Sequence, residues 1–227
     1  MPMQPHAGGD LHARAERLAA RRGRRLTEGM VGAHNRRVTS QLPSWPATPP
    51  AHGSVVLREF ADRDVDMVME LATDPYIPLI GSLPAAATAG DALAWIQRQR
   101  GRLSEGIGLS FAVADAESGI AVGTIGLWLQ DLPAGRATAG YSVSPVRRGR
   151  GVATSALQAL TSFAWTVPEL YRIALHIEPW NIGSIHVAEA AGYRREGLLR
   201  SYQQIGDSRR DMVLFASTRP DSAVREV

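Results

Sequence analysis

The 227-residue chain is 44% hydrophobic and 21% charged, the composition of a globular protein, with a formal net charge of +3. It has no cysteine, and all 25 of its basic residues are arginine, which excludes disulfides, zinc-thiolate sites, thiol nucleophiles, and any phosphate loop or Schiff base that depends on lysine. No apolar run reaches the roughly 18 residues of a bilayer span, and none follows the N-terminal arginines as in a secretory signal, so a cytoplasmic location and no membrane partner are expected.

Residues 1–53 hold eight arginines against three acids, a net of +5, whereas the remainder holds 17 against 19, a net of −2. The basic character therefore belongs to an N-terminal arm. A nucleic-acid-binding domain would carry its basic stripe on the folded body, so nucleic acid is expected as a partner of the arm at most. Within the arm, His12 to Arg25 has the pattern of a short helix, interrupted by Gly23 and Gly29. Four prolines between Gln41 and Ser54 then read as an extended linker. The expected organisation is a disordered, basic, proline-rich arm and linker over 1–53, one folded domain over 54–218 and a tail over 219–227.

The body opens with SVVLREF, a strand pattern, followed by helical periodicity in DRDVDMVMELATD. A proline- and glycine-rich loop runs from Asp74 to Gly90, and Thr88 with Asp91 forms a capping pair before ALAWIQRQRGRL. LSFAVADAESGIAVGTIGLWLQD reads as a hairpin turning at Asp115 to Gly119, and ATAGYSVSP as a further strand ending at Pro145. A helix through about Trp165, the strand RIALHIEP, the helix NIGSIHVAEAAGY and a hairpin turning at Ile205 to Ser208 complete the chain. Interleaved strands and helices give an α/β (α+β) class with one sheet.

Between the strand ending at Pro145 and the apolar helix lies RRGRGVAT. A helix N-terminus exposes unpaired amides and the positive end of its dipole, and so holds phosphate. Gly149 and Gly151 supply the positive φ a concave amide nest requires, with Arg148 and Arg150 adding charge at the edge. A dinucleotide fingerprint does not fit: Thr154 stands where a third glycine would be, and no acid follows in a strand about 20 positions on.

The spacing Arg148-x-x-Gly151-x-Ala153 resembles the acyl-CoA pyrophosphate loop of the GNAT superfamily of N-acetyltransferases. GYSVSPVRRGRGVATSAL and EPWNIGSIHVAEAAGYRREGLLR are together similar to the subgroup that acetylates the N-terminal alanine or serine of ribosomal proteins. The resemblance covers residues 54–218. It implies a single mixed, mostly antiparallel sheet with central splayed parallel strands, flanked by helices.

The resemblance also implies acetyl-CoA as co-substrate, with its pyrophosphate on Arg148, Gly149, Arg150, Gly151, Val152 and Ala153, and with Thr154 on the first helical turn. Pantetheine would pair with backbone near Tyr141 and Val143, and Asn181 would lie beside it. Asn181 is equally placed to cap its helix. Ser184 would protonate the departing thiolate, and an amide near Val143 would stabilise the oxyanion. Many members of the family it resembles carry an acid two residues before the Gly-Tyr pair, where this chain has Thr138, which cannot act as a base. Glu178, Tyr141, a water chain or an already neutral amine are the alternatives, and Glu178 is the candidate catalytic residue chosen beside Ser184. No metal site is expected, because no histidine pair has ligand spacing.

The apolar loop Asp74–Gly90, where this fold shapes its acceptor site, disfavours a polycationic acceptor. The expected activity is acetyl transfer to a protein N-terminal amine or a small amine by direct attack. A non-catalytic acyl-CoA-binding or sensing module, and an acetyltransferase of an antibiotic or metabolite, are the alternatives; a homodimer is a further possibility.

Overall fold

A computed structural model describes residues 42–220. The short helix expected over 12–25 lies outside the described residues, as do the rest of the arm to residue 41 and the last seven residues.

The elements follow the expected order. β1 (Ala51–His52) and β2 (Val55–Arg58) lead through a 3-10 turn at Asp62–Asp64 into helix α1 (Val65–Leu71). The proline-rich loop contains one short helix, α2 (Ile77–Ile80), before α3 (Ala89–Gly101). Thr88 and Asp91 cap α3 reciprocally, the Asp91 amide donating to the Thr88 hydroxyl at 3.2 Å. β3 (Gly108–Asp115), β4 (Ala121–Trp128) and β5 (Arg136–Val143) form a meander, and α4 (Val152–Ala164) returns the chain to β6 (Arg172–Ile177). Helix α5 (Ile182–Ala190) and the hairpin β7 (Arg194–Ile205) and β8 (Ser208–Thr218) complete the fold.

All eight strands form one sheet in the order β1-β2-β3-β4-β5-β6-β8-β7. Every adjacent pair is antiparallel except β5 and β6. The parallel pair is in register only from Arg136↔Arg172 to Thr138↔Ala174, so the two strands part beyond Thr138. That is the splay the resemblance implies.

β3 and β6 alternate in the faces they bury. Leu109, Phe111 and Val113 of β3 join Leu157 and Leu160 of α4 in the larger core, with Ile173, Leu175 and Ile177 of β6. Ala112, on the other face, joins Val68 and Leu71 of α1 and Trp95 and Ile96 of α3. Helices therefore cover both faces, and the parting of β5 from β6 opens between them.

The domain begins earlier than the composition suggests. Leu42 and Trp45, assigned above to the linker, pack against the larger core, and the Trp45 and Phe111 rings lie 4.7 Å apart. The Leu57 amide donates to the Pro50 carbonyl at 2.7 Å. Proline keeps this segment extended, but its two large apolar side chains find a surface to cover. At the other end, Arg219 donates to the Leu170 carbonyl at 2.8 Å and lies between the rings of Trp165 and Tyr171, so the fold extends past residue 218 by one anchored side chain.

Candidate active site

A single cavity of about 1120 Å³ runs from the glycine-arginine loop, through the splay, to the loop between α1 and α3. Of the residues singled out in the sequence, Tyr141, Val143, Arg148, Gly149, Gly151, Val152, Ala153, Thr154, Glu178, Asn181 and Ser184 all line it. Arg150 does not; the exposed Arg147 stands on the wall instead.

The loop at the head of α4 has the geometry of an anion cradle. Gly151 is the N-cap residue of α4 at φ 75° and ψ 0°, and Gly149 has φ 72°. A side-chain carbon built on either would meet no protein atom within 4 Å, and both residues line the cavity. No side chain caps α4, which leaves its first amides available to an anion. The residues present therefore fit a pyrophosphate. Arg148 differs from the expected edge charge: its guanidinium donates to Asp74 at 2.6 Å and to the Val143 carbonyl at 3.1 Å. Asp74 in turn accepts from the amides of Tyr76 and Ile77 at 2.8 and 3.1 Å. Burial acts to raise the Asp74 carboxyl, but Arg148 and the two amides outweigh it and hold the group below its ordinary range. Arg148 thus ties the phosphate loop to the start of the loop between α1 and α3.

The register of β4 and β5 decides where the strand amides point. The Ser144 amide donates to the Val122 carbonyl at 3.0 Å, continuing the register Gly123↔Val143 and Thr124↔Ser142. In an antiparallel ladder the bonded positions alternate, so residues 138, 140 and 142 bond to β4. The amides of Tyr141 and Val143 face the other way, into the gap left by β6. Pantetheine-like amides have a ready edge there, and a developing oxyanion has a donor.

On the β6 side, the Asn181 side chain accepts from the Ser184 amide at 3.1 Å and caps α5, as its alternative reading has it. The Ser184 hydroxyl has no hydrogen-bond partner among the described residues and adjoins the cavity. The Tyr141 hydroxyl donates to the Ser184 carbonyl at 3.4 Å. Burial pushes the Tyr141 phenol up, so it keeps its proton and is no base.

Glu178 follows β6 on the same face as His176, and it turns into the cavity rather than to solvent, 5% exposed. One carboxylate oxygen accepts from the Tyr76 hydroxyl at 2.5 Å, and the other lies 3.9 Å from Arg210. Burial, then the neighbouring Glu178 carboxylate, raise the Tyr76 phenol, so Tyr76 donates and Glu178 accepts. Asp74 is the other acid on the cavity wall, and Arg148 occupies it. Among the acids lining the cavity, Glu178 alone keeps an oxygen without a close donor. Trp180, 59% exposed, stands edge-on to the Tyr76 ring at 4.9 Å and borders the opening.

Sequence reasoning passed over several lining residues. Tyr76, Gln99, Arg102, Ser110 and Gln203 all reach the wall, from segments far apart in the chain. Periodicity could have flagged Gln99 and Ser110, which occupy buried positions on α3 and β3. Nothing local marks the others. His176 stacks on Tyr202 at 4.7 Å and also adjoins the cavity.

Comparisons with known proteins agree with this geometry. A family model described as an acetyltransferase (GNAT) domain matches residues 54–194. The N-acetyltransferase p20 of Bacillus licheniformis is 27% identical over 169 residues, covering 74% of this chain and 95% of its own. The ribosomal protein uS5-alanine N-acetyltransferase of Escherichia coli is 32% identical over 82 residues, 36% of this chain and 42% of its own. The structure of Mycobacterium smegmatis RimJ in complex with a CoA disulfide superposes with a TM-score of 0.67 at 26% identity, covering 78% of this chain and 90% of that one. With the loop, the splay and the matched residues in agreement, this chain belongs to the GNAT family of acetyltransferases, which use acetyl-CoA.

Proposed function

We propose that the protein transfers the acetyl group of acetyl-CoA directly to a primary amine, either a protein N-terminus or a small molecule carrying one. The observation that carries this reading is the continuity of the cavity. The phosphate cradle, the free amides of Tyr141 and Val143, the Ser184 hydroxyl and the Glu178 carboxylate open into one space. Donor and acceptor can meet there without a covalent relay.

In this reading the amides of residues 148–153 hold the pyrophosphate, and Thr154 adds a hydroxyl on the first turn of α4. The strand edge at Tyr141 and Val143 aligns the thioester. Glu178 takes a proton from the ammonium, directly or through one water, and the lone pair of the neutral amine then bonds to the carbonyl carbon. The Val143 amide stabilises the charge gathered on the carbonyl oxygen. The carbon–sulfur bond then breaks, Ser184 gives its proton to the thiolate, and the second proton lost by the nitrogen as it becomes an amide passes through solvent to restore the serine hydroxyl. Similarity to ribosomal-protein acetyltransferases supports a protein N-terminus as acceptor.

The test is a panel of N-terminal peptides and small amines incubated with isotopically labelled acetyl-CoA and read by mass spectrometry and thiol release. Labelled amide on at least one acceptor is expected, and Ser184→Ala should lower turnover while leaving acetyl-CoA affinity within about twofold. Tight acetyl-CoA binding with no transfer across the panel would instead identify a non-catalytic acyl-CoA-binding module.

A further inference from the structure

The acceptor end of the cavity carries a feature that acetyl transfer alone does not require. Resting on the proposed function, we infer that Arg102, Gln99 and Trp128 form a subsite for a carboxylate on the acceptor, so that the enzyme selects amines that also bear an acid group.

The subsite is built on one sheet face. Trp128 of β4 pairs with Thr138 of β5, and Gly126 with Gly140. Side-chain carbons on those two glycines would come within 3.2 and 3.1 Å of the indole ring. The absence of side chains at 126 and 140 is therefore what lets the ring lie across the sheet. Above it stands the guanidinium of Arg102, 5.4 Å from the ring centroid, a favourable cation–π placement. Arg102 is only partly exposed and has no salt bridge among the described residues. Beside it, Gln99 is 2% exposed: its carbonyl oxygen accepts from the Ser110 hydroxyl at 3.1 Å, while its buried amide nitrogen has no partner. An unpaired buried donor is costly, and Gln99 is a residue of the same cavity wall as Arg102.

The charges of the cavity are segregated. Its two carboxylates, Asp74 and Glu178, lie toward the phosphate loop and the end of β6, and each already has a donor. The Gln99–Arg102–Trp128 corner puts donors and no acid on the cavity wall; the exposed Glu105 acts on Arg102 from off the wall and forms no salt bridge with it. It sits at the Trp128↔Thr138 end of the β4–β5 ladder, five residues from Val143, roughly 16 Å along the strand. An acceptor reaching from there to the splay would place its acid on Arg102 and its amine near Glu178. A carboxylate suits both donors, because a planar guanidinium binds it with two parallel bonds. That acid could be the carboxylate of a free amino acid, or an acidic side chain close behind a protein N-terminus.

The experiment uses the full-length protein with acetyl-CoA and two acceptor series. One is a ladder of ω-amino acids from glycine to 12-aminododecanoate, long enough to cover that span, each against its carboxamide. The other pairs N-terminal peptides with Glu or Gln, and Asp or Asn, at the second and third positions. The expected result is at least a tenfold preference in kcat/KM for the acid member at one chain length or peptide position, and the series showing it identifies the source of the carboxylate. In Arg102→Gln that preference should collapse to below about twofold through KM, with acetyl-CoA affinity retained; Arg102→Lys should restore part of it. Equal use of acid and amide by the wild-type protein, or a preference that survives Arg102→Gln, overturns the subsite. If no acceptor is acetylated, the enzymatic reading fails first, and the subsite is judged by calorimetric titration of the same pairs into CoA-saturated protein. Acid-selective binding lost in Arg102→Gln upholds it, and binding of neither member or of both equally overturns it.

Discussion

Gly151→Ala separates the conformational role of the loop from its role in binding. Gly151 sits at φ 75° with no protein atom within 4 Å of a side-chain carbon built on it. In the ligand-free protein the substitution therefore meets no steric wall, and its cost is the left-handed backbone alone, about 1–2 kcal/mol. For a domain of this size that lowers Tm by roughly 2–8 °C. Gly192 is a matched control, because it has φ 85° and equally open surroundings but lies off the cavity wall. Both variants should lose similar thermal stability. Only Gly151→Ala should lose acetyl-CoA affinity, because its methyl group, or the loop shift that relieves it, disturbs amides that would face the pyrophosphate. A loss of at least tenfold in Kd, about 1.4 kcal/mol, is expected by isothermal titration, and Gly151→Val should remove detectable binding. Wild-type affinity in Gly151→Ala, or an equal loss in Gly192→Ala, would refute the assignment of these amides to the phosphate.

Three further outcomes follow from the packing. Glu178→Gln should lower kcat by about 10²–10⁴ with acetyl-CoA affinity intact; an unchanged kcat would return the base to solvent or to another group. His176, which burial holds below its ordinary value of 6.5, is neutral in the fold and protonates first in the unfolded chain. Stability should therefore be full above that value and fall as the pH drops beneath it, by up to about 1.4 kcal/mol per unit, and His176→Gln should flatten the decline measured by urea unfolding at pH 7.5 and 5.5. Trp45→Ala should cost about 2 kcal/mol, below the range for a fully buried tryptophan, and a chain starting at residue 54 should melt lower by at least as much; melting of both at the wild-type temperature would return residues 42–53 to the linker.

The sequence is informative about the donor half of the site and nearly silent about the acceptor half, for a reason visible in the chain. The donor half is one continuous strand, loop and helix, from Arg136 through Ala164, joined by the turn into α5. There each requirement is local: a glycine at positive φ, an asparagine capping its own helix, a serine three residues on. Such requirements leave marks at fixed spacing, so the phosphate loop and Asn181-x-x-Ser184 could be read directly. The acceptor half is assembled from pieces of α3, β3, β4, β7, β8 and the loop after α1. Glu178 could be proposed, but its orientation depends on Tyr76, 102 residues earlier. Arg148 could be placed in the loop, but not its attachment to Asp74 across 74 residues. Trp128 lies where it does because glycines at 126 and 140 leave room on two different strands, a fact of pairing register that no spacing within one strand records. The same division has a functional consequence: loop substitutions around α2 and α3 that spare Asp74, which holds Arg148, can retune the acceptor while leaving the cradle for acetyl-CoA untouched.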